Sequence, residues 1–213
     1  MKKVALAGAT GLIGGQLLLQ LTADESVEEI RVLVRRPLPT NDARIKVIQL
    51  AFTDRQAIAG ALAGCDTVFC AVGTTRKKTP DLAEYRKIDF DIPVTLAQLS
   101  AEAGVRSFHL VSSVGASVKS NNFYLKIKGE TEEAVSKAKL ARIVLYRPSL
   151  LLGKRNEIRI AEIISSWIVP LLTFLFPPDY KPIRAELVAR AMIRDAKQQA
   201  QGVTVAHYSQ MVR

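Results

Sequence analysis

The stretch Lys3-Val4-Ala5-Leu6-Ala7-Gly8-Ala9-Thr10-Gly11-Leu12-Ile13-Gly14 decides the fold. Lys3–Ala7 is a short, mostly apolar run that reads as a buried strand. Leucines at 12, 17, 18 and 21 then form a helical stripe, so a helix is predicted over Leu12–Thr22. Between them stands Gly8-x-x-Gly11-x-x-Gly14. A strand that enters a helix through glycines at this spacing has a physical use. One glycine permits the tight turn, one lets a pyrophosphate approach the backbone, and one lets the helix pack closely on the sheet. The helix N-terminus adds unpaired N–H groups and a partial positive charge. The expectation is a turn that holds a dinucleotide.

Outward from this turn, strand and helix patterns alternate. Further strands are predicted over Ile30–Val34, Ile45–Leu50, Thr67–Val72, Ser107–Ser112 and Ala141–Tyr146. Helices are predicted over Asp54–Ala63, ended by Gly64, and over Phe123–Lys139. A long helical pattern over Asp81–Ala103, ended by Gly104, contains Pro93, which kinks it or splits it in two. The strands are continuous apolar runs rather than alternating ones. Such strands are covered on both faces and belong to parallel sheets. Right-handed crossovers then give a doubly wound Rossmann α/β fold with helices on both faces. After Pro148 the pattern changes. Helices are expected over Glu157–Trp167 and Glu186–Gln199, and a last short strand over Val203–Ala206. The whole chain, 1–213, reads as one domain, with 155–213 as a small, mainly helical C-terminal cap over the substrate region.

Composition agrees with one compact domain: 213 residues, 48% hydrophobic and 23% charged. The formal net charge of +10 favours anionic partners. The basic residues come in short clusters at predicted element ends: Lys2-Lys3, Arg35-Arg36, Arg76-Lys77-Lys78, Lys126 with Lys128, and Lys154-Arg155. No nucleic-acid reading element accompanies them, so nucleic acid is not an expected partner. Cys65 and Cys70, placed in one predicted strand at an odd spacing, would lie on opposite faces and stay unpaired. This points to a reducing compartment and a cytoplasmic protein. The apolar stretch from Met1 to Leu21 imitates a secretory signal, but glycines 8, 11, 14 and 15 interrupt it. A second apolar stretch, Ile163 to Phe176, is short and broken by Pro170. It is no membrane span, yet it suits a membrane surface, a protein partner or a second copy of the chain. His109 reads as a core histidine and His207 has no companion at ligand spacing, so no metal site is expected.

Cofactor choice is written at the end of the second strand. A protein that prefers NAD(H) places an acid there for the adenosine ribose. Here the strand ends Val34-Arg35-Arg36. Two guanidinium groups match a 2′-phosphate in charge and geometry, so NADP(H) is expected over NAD(H).

The fifth strand ends Val111-Ser112-Ser113. Eleven residues after Ser113 comes Tyr124, and Lys128 follows four later on the same helix face. An ammonium near a phenol favours the phenolate, which assists proton transfer. With a serine to orient a carbonyl oxygen, these groups could protonate that oxygen while a reduced nicotinamide delivers hydride.

Gly8-Ala9-Thr10-Gly11-x-x-Gly14, the Ser-Ser pair before Tyr124-x-x-x-Lys128-Gly129-Glu130, Cys70-Ala71-Val72-Gly73-Thr74-Thr75-Arg76, and Tyr146-Arg147-Pro148-Ser149 with Leu152-Gly153 together resemble the extended and atypical short-chain dehydrogenases/reductases. Within them the chain is most similar to the Tat-interacting-protein-like branch, related to the epimerase/dehydratase group. The resemblance covers nearly the whole chain and is thin beyond Gly153. It implies that Gly8, Thr10, Gly11, Leu12, Ile13 and Gly14 line the pyrophosphate. Arg35, with Arg36 beside it, would hold the 2′-phosphate, and Phe52 would lie near the adenine. Val72, Gly73 and Thr74 would flank ribose and pyrophosphate, and Pro148 would touch the nicotinamide end. It further implies Tyr124 as acid/base, Lys128 as its tuner and ribose ligand, and Ser113 or Ser112 as the orienting serine. Two positions depart from the family pattern. Ala51 stands where many relatives have an acid near the adenine, and Asp89 where many extended members have an asparagine.

Two functions fit these residues. One is an NADPH-dependent oxidoreductase acting on a small carbonyl or quinone-like substrate. The other is a non-catalytic, NADPH-sensing regulatory module that binds another protein.

Overall fold

The computed structural model describes residues 1–152 and 178–213. The glycine turn sits where the sequence places it, between strand β1 (Lys3–Ala7) and helix α1 (Leu12–Ala23). There follow β2 (Glu29–Val34), β3 (Ile45–Gln49), α2 (Arg55–Leu62) and β4 (Thr67–Cys70). Next come α3 (Leu82–Arg86), a π-helical turn (Lys87–Asp91), α4 (Ile92–Glu102), β5 (Ser107–Val111), α5 (Phe123–Ser136) and β6 (Arg142–Tyr146). The remaining described elements are β7 (Leu151–Leu152), a 3-10 turn (Pro178–Tyr180), β8 (Ile183–Arg184), α6 (Ala185–Lys197), β9 (Gly202–Ala206) and α7 (Tyr208–Met211).

Among the described residues the main sheet has seven strands in the order β3-β2-β1-β4-β5-β6-β9. All its pairings are parallel. The chain leaves β1 toward one edge and returns through α2 to β4 on the other side. The crevice above the carboxyl ends of β1 and β4 is therefore the topological switch point, where open α/β sheets collect ligands. A second sheet is the short parallel pair β7-β8.

The central strands feed two cores, because successive side chains leave opposite faces. Val4 and Leu6 of β1 pack with Leu17 and Leu21 of α1 and with Val188 and Met192 of α6. Ala5 and Ala7 face the other layer, with Ile58 and Leu62 of α2, Leu96 of α4 and Val135 of α5. Each fully buried leucine or valine in these layers contributes roughly 1.5–3 kcal/mol of transfer free energy. This double coverage explains why the strands read as unbroken apolar runs.

Three expectations change. The long helical pattern over Asp81–Ala103 does divide, but at a π turn rather than at Pro93. It is α3, a π turn and α4, with Asp81 capping α3 through Glu84 N–H at 2.8 Å and Pro93 tolerated in the first turn of α4. Cys65 lies outside the strand. Gly64 turns with φ +72°, and Asp66 anchors the strand's start by accepting N–H bonds from Lys2 and Lys3. Both thiols are free and buried, and both face the same core layer. The described part of the tail, 178–213, also builds core and sheet edge rather than only a cap. Residues 185–206 supply α6, which covers one sheet face beside α1, and β9, which pairs with β6 as an edge strand. The apolar stripe of α6 is what commits it to the core rather than to the mouth of the site. The predicted helix over Glu157–Trp167, Lys154-Arg155 and the apolar stretch Ile163 to Phe176 lie outside the described residues.

No helix among the described residues is long and apolar enough to cross a membrane. Among the same residues no group of side chains is placed to hold a metal ion.

Candidate nucleotide-binding site

A cleft of about 780 Å³ opens at the switch point. Gly8, Ala9, Thr10 and Gly11 form one wall, and Arg35, Arg36 and Pro37 form its far end, with Phe52 beside them. Ala71, Val72, Gly73 and Thr74, at the end of β4, form the floor. Lys78, Thr79, Ile88 and Ile92 close the remaining side.

The glycines have distinct tasks. Gly8 has φ +90°, and a Cβ there would stand 2.5 Å from the carbonyl carbon of Ala71. Only a residue without a side chain lets β1 turn this close to the end of β4. Gly14 is buried and does not line the cleft. It lets α1 descend onto the turn that carries Gly8. Gly11 is the N-cap, its N–H bonded to Gly8 O at 2.8 Å, and no side chain caps α1. By helix geometry the first-turn N–H groups of Leu12, Ile13 and Gly14 have no carbonyl within the helix. Donors at these three positions could meet an anion only through backbone, since the Ile13 side chain is core.

Sequence reading does not assign Lys78, Thr79, Ile88 or Ile92 to the cleft, although Lys78 stands in the basic cluster Arg76-Lys77-Lys78. They arrive by tertiary packing of the β4–α3 loop, the π turn and the start of α4. Thr79 Oγ1 meets Thr74 Oγ1 at 2.9 Å, and Tyr85 donates to Thr74 O at 3.3 Å, so this loop is pinned to the floor.

Beyond Gly73 lie the proposed chemical groups. Lys128 Nζ stands 2.9 Å from Asp89 Oδ1, with both side chains buried. The ammonium meets Oδ1 off the best hydrogen-bond direction, and that oxygen has no hydrogen-bond partner among the described residues. Asp89 Oδ2 accepts from Thr74 N–H at 2.8 Å. A Cβ on Gly73 would be 3.4 Å from Asp89 Oδ1 and 3.7 Å from Lys128 Nζ, so the pair sits directly beside the cleft floor. Burial works against the Lys128 ammonium, but Asp89, then Tyr124 and Cys70, outweigh it and hold its pKa above the ordinary lysine value. Burial pushes the Cys70 thiol up to about 11, which keeps it protonated and inert beneath the site.

Tyr124 is exposed on the first turn of α5, and Lys128 Nζ lies 5.9 Å from its ring centroid. Asn122 caps this helix by accepting from Leu125 N–H. Gly129 lets α5 touch the Ser117–Val118 backbone, where a Cβ would come within 2.3 Å. Ser112 is buried, and its hydroxyl has no partner among the described residues. Ser113 is half-buried and donates to Val114 O at 3.2 Å, rather than toward Tyr124. Pro148 is buried and accepts from Val114 N–H at 2.9 Å. It ties the ends of β5 and β6 together and does not line the cleft. The structure thus gathers Gly8, Thr10, Gly11, Arg35, Arg36, Phe52, Val72, Gly73 and Thr74 around one cleft and sets Lys128 beside it.

These residues fit a dinucleotide. Backbone donors stand at one wall, cations at one end, and a buried carboxylate paired with an ammonium lies beside the floor.

Comparison with known proteins agrees. The chain is 35% identical over 199 residues to the mitochondrial protein FMP52 of Debaryomyces hansenii, covering 91% of this chain and 87% of that one. It is 34% identical over 178 residues to the mitochondrial protein fmp52 of Emericella nidulans, covering 81% and 76%. Those names overturn the cytoplasmic expectation, since reduced cysteines do not distinguish one reducing compartment from another. In fold the chain is similar to MoeE5 in complex with UDP-glucuronic acid and NAD, with TM-score 0.72 at 19% identity over 95% of this chain and 75% of that one. It is similar too to the Bordetella bronchiseptica enzyme WbmH in complex with NAD+, with TM-score 0.74 at 16% identity over 97% and 75%. A family model described as NAD(P)H-binding matches residues 8–163, a span that holds all the residues lining this cleft, and the chain belongs to that NAD(P)H-binding family.

Proposed function

We propose that the protein is an NADP(H)-dependent reductase of a small carbonyl or quinone-like substrate, of the Tat-interacting-protein-like kind. The observation that carries the reading is the layout of one cleft. Arg35 and Arg36 stand at its far end with no acid beside them, and Lys128 stands at the opposite side, behind Gly73 and within reach of Tyr124.

In this reading Arg35 and Arg36 hold the 2′-phosphate, and the backbone of residues 8–14 holds the pyrophosphate. Lys128 donates to ribose hydroxyls. Tyr124, exposed toward an incoming substrate, donates its phenolic proton to the substrate oxygen. The bound cofactor supplies hydride. Lys128, 5.9 Å from the ring centroid, lies close enough to offset the negative charge left behind.

The direction of the Ser113 hydroxyl favours a second reading, a nucleotide-responsive module without turnover, because the serine is engaged with its own neighbour. Steady-state assays with menadione and benzaldehyde, on wild type and Tyr124→Phe, separate the two. The reductase reading predicts turnover that falls at least about 100-fold in the variant while NADPH affinity stays unchanged. Equal turnover by both proteins, or none by the wild type, would remove the chemistry assigned to Tyr124.

A further inference from the structure

We infer that Asp89 is a positioning residue for the ribose-binding end of the cleft, fixing both the place and the charge of Lys128 and anchoring the floor at Thr74. This rests on the nucleotide reading above and names a residue which that reading does not use.

The geometry is specific. One carboxylate oxygen takes the Thr74 N–H at 2.8 Å, and the other faces Lys128 Nζ at 2.9 Å. Gly73 lies between these two attachments, so the floor and the ammonium are set by a single side chain. The π turn makes this placement possible. Its wider winding brings Asp89 to 1% exposure, while Asp91 stays exposed and Ile88 reaches the cleft. Thr131 of α5 donates to Asp89 O at 3.0 Å, which locks the turn to the helix that carries Lys128.

An amide at this position could still accept from Thr74 N–H, but it could not offset a buried positive charge. Removing one partner of a buried pair leaves the other uncompensated. The groups that face Lys128 are Asp89 from the π turn, Tyr124 from its own helix and Cys70 from β4. Of the three, Asp89 supports the ammonium most strongly, and without it burial would be opposed by less. Lys128 would then lose its proton at a lower pH, and with it a donor for ribose hydroxyls.

The test is the ratio of two affinities, for NADPH and for adenosine 2′,5′-bisphosphate, measured from about pH 6 to about pH 9, below the ordinary lysine range. The ratio cancels ionisation of the phosphate that both probes share. Wild type is expected to give a flat ratio. Asp89→Asn should bind the bisphosphate normally, which also shows that it folds, yet lose about tenfold in the ratio as pH rises. Asp89→Asn combined with Lys128→Met should give a low and flat ratio, which identifies the titrating group. A flat, wild-type ratio in Asp89→Asn would overturn the inference alone, as would loss of bisphosphate binding, because Asp89 would then hold the whole site. Failure of the wild-type protein to bind either probe would overturn the nucleotide reading, and the inference with it.

Discussion

A first side-chain carbon on Gly14 would stand 2.0 Å from the carbonyl oxygen of Gly8, well inside any contact that real atoms make. The glycine spacing is therefore a packing requirement as well as a ligand site. Gly14→Ala is expected to cost about 3 kcal/mol or more, because the clash is with backbone that cannot move aside. Gly60 is the control. It lies within α2 with nothing within 4 Å of its Cβ position, so Gly60→Ala should be neutral or stabilise by up to about 1 kcal/mol. Urea midpoints of the two variants check this, and a harmless Gly14→Ala would sink the packing account.

Acid sensitivity should come in part from His109. Its Nδ1 lies 3.0 Å from the Tyr146 hydroxyl, which donates to Asp195 Oδ2 at 3.1 Å, so the ring donates to the tyrosine and is neutral. Burial, then Arg142 and Arg106, push its pKa down from 6.5 to about 3. The unfolded chain takes up this proton as pH falls through 6.5, whereas the folded chain does not until about 3. Stability is thus undiminished by this residue above 6.5 and declines below it, at about 1.4 kcal/mol per pH unit within that window. His109→Gln should flatten that slope in denaturation measured between pH 6 and pH 4, a range set by those two values. An unchanged slope would place the acid sensitivity elsewhere.

The end of β6 is joined to the body of α5 by Arg147, which donates from Nε to Glu132 Oε1 at 2.9 Å and from a terminal nitrogen to Oε2. Glu132 is buried and Arg147 half-buried, and the hydrogen bond to Glu132, then its charge, raise the arginine's pKa. Glu132→Ala should cost about 1–3 kcal/mol, since a partly buried guanidinium loses its acceptor. Glu132→Gln should cost less. Denaturant midpoints at constant slope would show the order, and equal stability of all three proteins would refute it.

Much of this was legible in the residues. The β1 turn and α1 were readable because an apolar run, glycines and a leucine stripe act over a dozen consecutive positions. The seven described strands of the main sheet were all marked by apolar runs, although the place of Gly202–Ala206 beside β6 was not, since pairing is a long-range choice. The π turn was illegible. Lys87–Asp91 has no composition that favours it, and it exists because Thr74, Lys128 and Thr131 draw Asp89 inward. Tyr124 and Lys128 were found through helical spacing. Asp89 stood out only as a departure from a resemblance, with its partner unseen. Lys78 stood out only as part of a basic cluster, and its place in the cleft with Thr79 was hidden for a similar reason, since a loop's destination is written in what it packs against.

The central claim is that this cleft holds a nicotinamide dinucleotide and selects its phosphorylated form through Arg35. The most direct measurement is a fluorescence titration of NADPH and NADH into wild type and Arg35→Ala. The account predicts that wild type binds NADPH about ten- to a hundredfold more tightly than NADH, and that Arg35→Ala loses most of this preference while keeping its NADH affinity. Equal affinity of the wild type for both nucleotides, or a preference unchanged in Arg35→Ala, would contradict it.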